Sequence, residues 1–197
     1  MTVVAPDPEP PASGAGGRRR HTARWIALVV LVVGASLVAV LATRPQATAS
    51  EVDTPLLGHR APALSGTMLS GGRFDLGQLR GRWVVVNFFA SWCAPCQQEE
   101  PELVAFAFTH RAPGAAALVG VVFDDATSSA RSFLSSSGAT WPAVSDPGGQ
   151  LALAYGVRAP PETFLVSPAG TVVVHLDGPV TAAGLDYWLQ RAARSST

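Results

Sequence analysis

Residues 83–96 read WVVVNFFASWCAPC, and this stretch decides the fold. Its first half, residues 83–89, is a continuous apolar and β-branched run, the pattern of a strand buried on both faces. After a short loop come Cys93 and Cys96. Beyond them Glu99, Glu100 and Glu102 fall early, and Leu103, Phe106 and Ala107 recur at helical spacing, which predicts a helix with acidic residues in its early turns. Pro101 is expected to kink that helix. A Cys-x-x-Cys pair between a buried strand and a helix puts the first sulfur at the helix N-terminus, where unpaired N–H groups and the macrodipole favour an anion. Cys93 is therefore the expected thiolate nucleophile, attacking a disulfide. Cys96, one turn further on and less exposed, is the expected resolving thiol that breaks the mixed disulfide. Pro95 removes one N–H between them and stiffens the turn, so it can tune the reduction potential.

Toward the C-terminus, residues 117–123 form a second apolar run, followed by a helix expected to start at Thr127 or Ser128 and to stop at Gly138. This is a β-α-β-α alternation. A short strand around Val144 leads to a helical stretch over 149–155 closed by Gly156. Residues 163–166 and 171–176 are strands, joined by the turn Ser167-Pro168-Ala169-Gly170 as an antiparallel hairpin. The last element is a helix that Thr181 can cap, with Leu185, Trp188, Leu189 and Ala192 as its buried stripe.

Toward the N-terminus the chain changes character. Residues 1–17 are rich in Pro, Gly and Ala without apolar periodicity, so residues 1–24 are expected to form a disordered cytoplasmic tail. Residues 25–42, WIALVVLVVGASLVAVLA, carry no charge. As a helix rising ~1.5 Å per residue they nearly cross a hydrocarbon core of ~30 Å. Arg18, Arg19, Arg20 and Arg24 precede this run and Arg44 follows it, which places the N-terminus in the cytoplasm and the rest outside. A cleaved signal peptide is the competing reading, since Ala47-Thr48-Ala49 fits a cleavage site and Arg19-Arg20 a twin-arginine start. The length of the apolar run favours an anchor. Residues 43–55, with Pro45 and Pro55, are expected to be a linker, and residues 56–197 the folded domain.

Lys plus Arg and Asp plus Glu are both 14, so the overall field gives no reason to expect a nucleic-acid partner. With only two cysteines, three residues apart, any internal disulfide closes a loop too small to staple the fold. The bland alternatives are half a zinc site, which lacks two further ligands, and an inert pair of buried thiols. His21, His59, His110 and His175 lie too far apart in sequence for a local metal pair and are read as surface or packing residues.

The segment from Val86 to Cys96 resembles the active-site segment of thioredoxin-like proteins, specifically the TlpA, ResA and DsbE-like group of membrane-anchored oxidoreductases. Further matches are Glu99, Pro101, Trp141-Pro142, Gly156-Val157 and Pro161-Glu162-Thr163-Phe164-Leu165-Val166. The resemblance implies an α/β thioredoxin fold: a central mixed sheet flanked by helices, with residues 69–83 as an N-terminal β extension and one transmembrane helix ahead. It implies a cis proline at Pro161 beside the cysteines, where the backbone can pair with an extended substrate. Pro160 lacks an N–H, so one such contact is missing. Asn87 stands where thioredoxins carry a buried aspartate, and Asp125 or its neighbour Asp124 is the implied substitute for proton transfer. Trp92, Pro95, Pro161 and Asp125 are thus the residues expected to bind substrate or tune the pair.

The function implied is an extracytoplasmic reductase of disulfides in exported proteins such as apocytochrome c, acting as a monomer and re-reduced by a membrane electron donor. The redox-active Cys93–Cys96 disulfide would serve with no other cofactor and no metal. The same chemistry reversed would form disulfides in secreted proteins. A peroxidase fits poorly, because the Pro and Thr pattern upstream of a peroxidatic cysteine is missing. A copper chaperone would need His175 beside the two thiolates.

Overall fold

The computed structural model describes the backbone of residues 18–42 and 48–195. Residues 1–17 of the expected tail and 43–47 of the expected linker lie outside the described residues. The chain divides into two units, Met1–Gln46 and Ala47–Thr197. In the first, α1 runs Arg18–Ala42, starting inside the stretch expected to be tail. Its apolar side chains Trp25, Ile26, Val30 and Leu31 are exposed. Among the described residues no helix is long and apolar enough to cross a membrane. The side chains of Leu37, Val40, Leu41 and Ala42, which belong to the apolar run, are outside the described set.

The second unit is organised by β4, Val84–Phe89, every residue of which is buried. It pairs in parallel with β5, Ala117–Val122, and antiparallel with β7, Glu162–Val166. β8, Val172–Asp177, and the two-residue strands β1, Ser50–Glu51, and β6, Ala143–Val144, complete a mixed sheet of order β1-β8-β7-β4-β5-β6. Both faces are covered because side chains alternate along β4. Val84, Val86 and Phe88 enter one cluster with Tyr155 and Phe164. Phe88 and Tyr155 both pack on Phe164, at centroid distances of 5.8 and 5.2 Å. Val85 enters the other cluster, with Leu103 and Phe106 of α2 (Ala94–Thr109) and Leu185 and Leu189 of α5 (Ala182–Ser195). Fully burying each such side chain contributes roughly 1.5–3 kcal/mol. Asn87 is the polar exception, facing α2.

The sequence pattern locates β4, β5, β7 and β8 to within a residue, because apolar runs of this length are the signature of doubly covered strands. Trp83 and Phe123 are only partly buried and fall outside the strands. Helix α2 continues through Pro101 to Thr109. Helix α3, Thr127–Ser137, starts at the expected position without a side-chain cap and ends at Gly138 with φ 80°. Helix α4, Gln150–Tyr155, is held from outside itself: the Asp146 carboxylate accepts the N–H groups of Leu151 and Ala152 at 3.0 and 2.9 Å. Thr181 caps α5 through the Gly184 N–H at 3.0 Å.

Two findings alter the expected layout. Strand β1 lies in the stretch read as linker: it pairs with β8, and Ala49 and Val52 donate to the carbonyls of Pro179 and His175 at 2.8 and 3.0 Å. The domain therefore includes residues counted as linker. The N-terminal extension is a hairpin, β2 (Ser65–Thr67) with β3 (Arg73–Asp75), followed by a 3-10 turn, Leu76–Leu79. It leans on β6 so closely that a Cβ on Gly66 would sit 2.6 Å from Val144 Cγ1. A larger residue there would force the Val144 side chain to shift.

Candidate active site

β4, a central strand, delivers the chain to one end of the sheet, and Cys93 becomes the N-cap of α2. Its Sγ accepts the N–H of Cys96 at 3.1 Å. This is one of the donors a helix start leaves unpaired, and it favours a thiolate when the pair is reduced. Here the two cysteines are joined in a disulfide with Cα atoms 5.2 Å apart. Both are buried, 3% of Cys93 and 1% of Cys96 being exposed. Trp92, Ala94 and Pro95 around them are exposed and form the rim a partner would meet.

The loop ahead of the cysteines is held from three sides. Asp125 Oδ2 accepts the Ser91 N–H at 2.7 Å, and the Asp124 carbonyl accepts the Trp92 indole N–H at 3.0 Å. Gln97 Nε2 donates to the Ser91 carbonyl at 2.7 Å. Asp124 adopts a left-handed φ of 41°. The two aspartates thus clamp the Ser91 backbone and the Trp92 indole.

Opposite the cysteines, the Pro160–Pro161 bond is cis, as the resemblance implied, and the Pro160 carbonyl oxygen lies 3.4 Å from Cys93 Sγ. The loop leading to it has two backbone N–H groups, those of Arg158 and Ala159. Both donate to Glu162 Oε1, at 2.7 and 3.2 Å. The other oxygen of Glu162 takes His175 Nε2 at 2.7 Å. Burial pushes the Glu162 carboxyl up, but the His175 and backbone hydrogen bonds outweigh it and hold the group below the ordinary range. His175 is the packing residue expected, stacked on Phe164 at 4.2 Å. Among the described residues no group of three or more His, Cys, Asp or Glu side chains is placed to hold a metal ion.

Glu99 is the carboxylate that reading for early-helix acids overlooked. It lies three residues after Cys96, hence on the same side of α2, and is 1% exposed. Its oxygens accept Asn87 Nδ2 at 2.9 Å and the Val180 N–H at 2.8 Å. Burial pushes its pKa up to about 7, against the lowering effect of those two donors. A carboxyl that is protonated near neutrality and one turn from the resolving cysteine suits proton exchange during disulfide chemistry. Asn87 also donates to Thr163 Oγ1 at 3.1 Å, tying β4 to β7 beside Glu99. The sequence held the signal, a Glu at the third position after the second cysteine, facing an Asn within a buried strand.

Comparison with known proteins agrees with this geometry. Residues 57–175 match the AhpC/TSA family. The thiol:disulfide interchange protein HelX of Rhodobacter capsulatus is 35% identical over 152 residues, 76% of this chain and 81% of the relative. The thiol-disulfide oxidoreductase ResA of Bacillus subtilis is 33% identical over 131 residues, 66% of this chain and 73% of the relative. The crystal structure of a putative thiol:disulfide interchange protein DsbE from Chlorobium tepidum superposes with a TM-score of 0.60 at 30% identity, over 68% of this chain and 94% of that one. The helix-capping Cys93, its disulfide to Cys96 and these likenesses place the chain in the thioredoxin-like AhpC/TSA family, among the thiol-disulfide oxidoreductases of the TlpA, ResA and DsbE group.

Proposed function

We propose that this enzyme is a membrane-tethered reductase that works outside the cytoplasm on disulfides of exported proteins, with apocytochrome c as the substrate. The observation that carries the exchange step is the Cys96 N–H on Cys93 Sγ, which lowers the cost of a thiolate at Cys93. In the reduced enzyme, Cys93 attacks one sulfur of the substrate disulfide and expels the other as a thiolate. Cys96 then attacks Cys93 of the mixed disulfide and expels the second substrate thiolate, leaving Cys93–Cys96 oxidised and the substrate carrying both electrons. Glu99 is the group that takes up the Cys96 proton. Trp92 and Pro95 are exposed for the substrate to meet, the buried cis Pro161 shapes the loop beside them, and Asp125 keeps the Ser91-Trp92 loop in place. A membrane donor of reducing equivalents resets the disulfide.

Residues 25–42 support the anchor by their uncharged length, and Arg18 to Arg20 with Arg24 support the orientation. The resemblance to ResA and DsbE-like proteins supports the substrate. The test is a trap: in Cys96→Ser the mixed disulfide at Cys93 cannot resolve and accumulates. Capture of apocytochrome c on the outer face, and loss of haem attachment in cells lacking the enzyme, are expected. Capture of other secreted proteins alone, with haem attachment intact, would overturn the substrate.

A further inference from the structure

The loop over residues 158–161 has no regular structure of its own. Its two N–H groups end on a single oxygen of Glu162, since Pro160 and Pro161 have none to give. That carboxylate therefore anchors the amide side of the loop, while the Gly178 N–H holds the Pro161 carbonyl at 3.0 Å, and the loop carries the Pro160 carbonyl 3.4 Å from Cys93 Sγ. What fixes that carboxylate is His175. Glu162 and Phe164 alternate onto one face of β7, and His175 of β8 pairs directly with Phe164. The imidazole stacks on the Phe164 ring with planes 9° apart, and from there its Nε2 reaches Glu162 Oε2 at 2.7 Å.

The other ring nitrogen gives the clue to purpose. His175 Nδ1 is buried and has no hydrogen-bond partner among the described residues. A position selected for packing on Phe164 alone would be served by an apolar ring, without the cost of an unpaired buried nitrogen. The ring's polar engagement is thus directed wholly at Glu162.

We infer that His175 is a positioning residue for disulfide exchange: by holding Glu162 it fixes the 158–161 loop, and with it the Pro160 acceptor that an incoming substrate strand meets beside Cys93. This rests on the thiol-disulfide reading of the site and adds a determinant of how a protein substrate is engaged. His175 touches neither substrate nor sulfur and acts through Glu162.

The experiment compares His175→Phe, which keeps the stacked ring but loses the donor, with His175→Gln, whose amide nitrogen can reach the place of Nε2. Two readouts are used: hydrogen-deuterium exchange of the Arg158 and Ala159 amides, and steady-state reduction of an oxidised peptide with an internal Cys-x-x-Cys disulfide, with dithiothreitol as the electron donor that re-reduces Cys93–Cys96. In His175→Phe those two amides should exchange roughly tenfold faster, as loss of one net hydrogen bond implies, while Leu151 and Ala152, bound to Asp146, do not change. KM for the peptide should rise by a similar factor with kcat nearly constant. His175→Gln should restore both. Wild-type amide exchange and KM in His175→Phe would overturn the inference. Should His175→Phe fail to fold, His175→Gln and His175→Asn decide: Asn is too short to reach Glu162, and identical behaviour of the two would overturn it. Failure of the wild-type enzyme to reduce the peptide or a small disulfide would strike the exchange reading, and the amide comparison stands apart from that result.

Discussion

Two buried glutamates flank the cysteine pair, and their surroundings push them in opposite directions. Glu99, on α2, and Glu162, at the start of β7, are each 1% exposed. Glu99 has two neutral donors, an amide side chain and one backbone N–H, and burial prevails to bring its pKa to about 7. Glu162 has two backbone N–H groups and an imidazole, and these prevail over burial to hold it below the ordinary range. Burial sets the cost of the charge, and the number and kind of donors decide whether the charge survives. One carboxyl is left free to exchange a proton, and the other is locked as a structural anion.

The comparison breaks most visibly at Glu162. Glu162→Ala leaves the Arg158 and Ala159 N–H groups and the His175 ring without their acceptor. It should cost about 3–5 kcal/mol in denaturant titration at pH 7. A lowered carboxyl contributes stability above its unfolded value that is lost as pH falls through its folded one. Wild type should therefore lose stability on acidification below the ordinary carboxylate value of 4.5, and the variant should lose less.

Glu99 carries the opposite sign. Its folded pKa of about 7 stands above the ordinary carboxylate value of 4.5, so the folded state holds the proton more tightly. The stability this gives is full below 4.5 and is lost as pH rises through 7. Glu99→Gln should be no more stable than wild type at pH 4 but gain roughly 2–3 kcal/mol on it by pH 8, read from urea curves at the two values. The same variant should slow disulfide exchange by about 100-fold and flatten its pH profile near 7. A slope unchanged between pH 4.5 and 7 would contradict the account of Glu99. The smallest effect is expected from Asn87→Ala. Loss of the 2.9 Å donor to Glu99 should raise the Glu99 titration further, worth about 1 kcal/mol, as followed by carboxyl carbon resonance.

The contrast also explains what the sequence made legible. The strands at 84–89 and 117–122 and the helix start at Cys93 follow from local pattern, since apolar runs and a Cys-x-x-Cys at a strand-to-helix junction are short-range signals. Strand β1 has no such pattern: two exposed residues, Ser50 and Glu51, join the sheet through backbone bonds alone. Asp146 precedes Pro147-Gly148-Gly149 and reads as loop, yet it caps α4 from outside the helix. Glu99 reads as a favourable early-helix acid because its burial depends on Val180, 81 residues away. Asp125 was legible as a residue near the cysteines but not as a clamp on Ser91, which depends on where the loop returns.

If Cys93 and Cys96 form a reducing dithiol, the reduction potential of that couple must show it. In glutathione or dithiothreitol buffers at pH 7 the account predicts a value near that of thioredoxin, about -270 mV, or lower. A value near -120 mV, that of a strong oxidant, would contradict it.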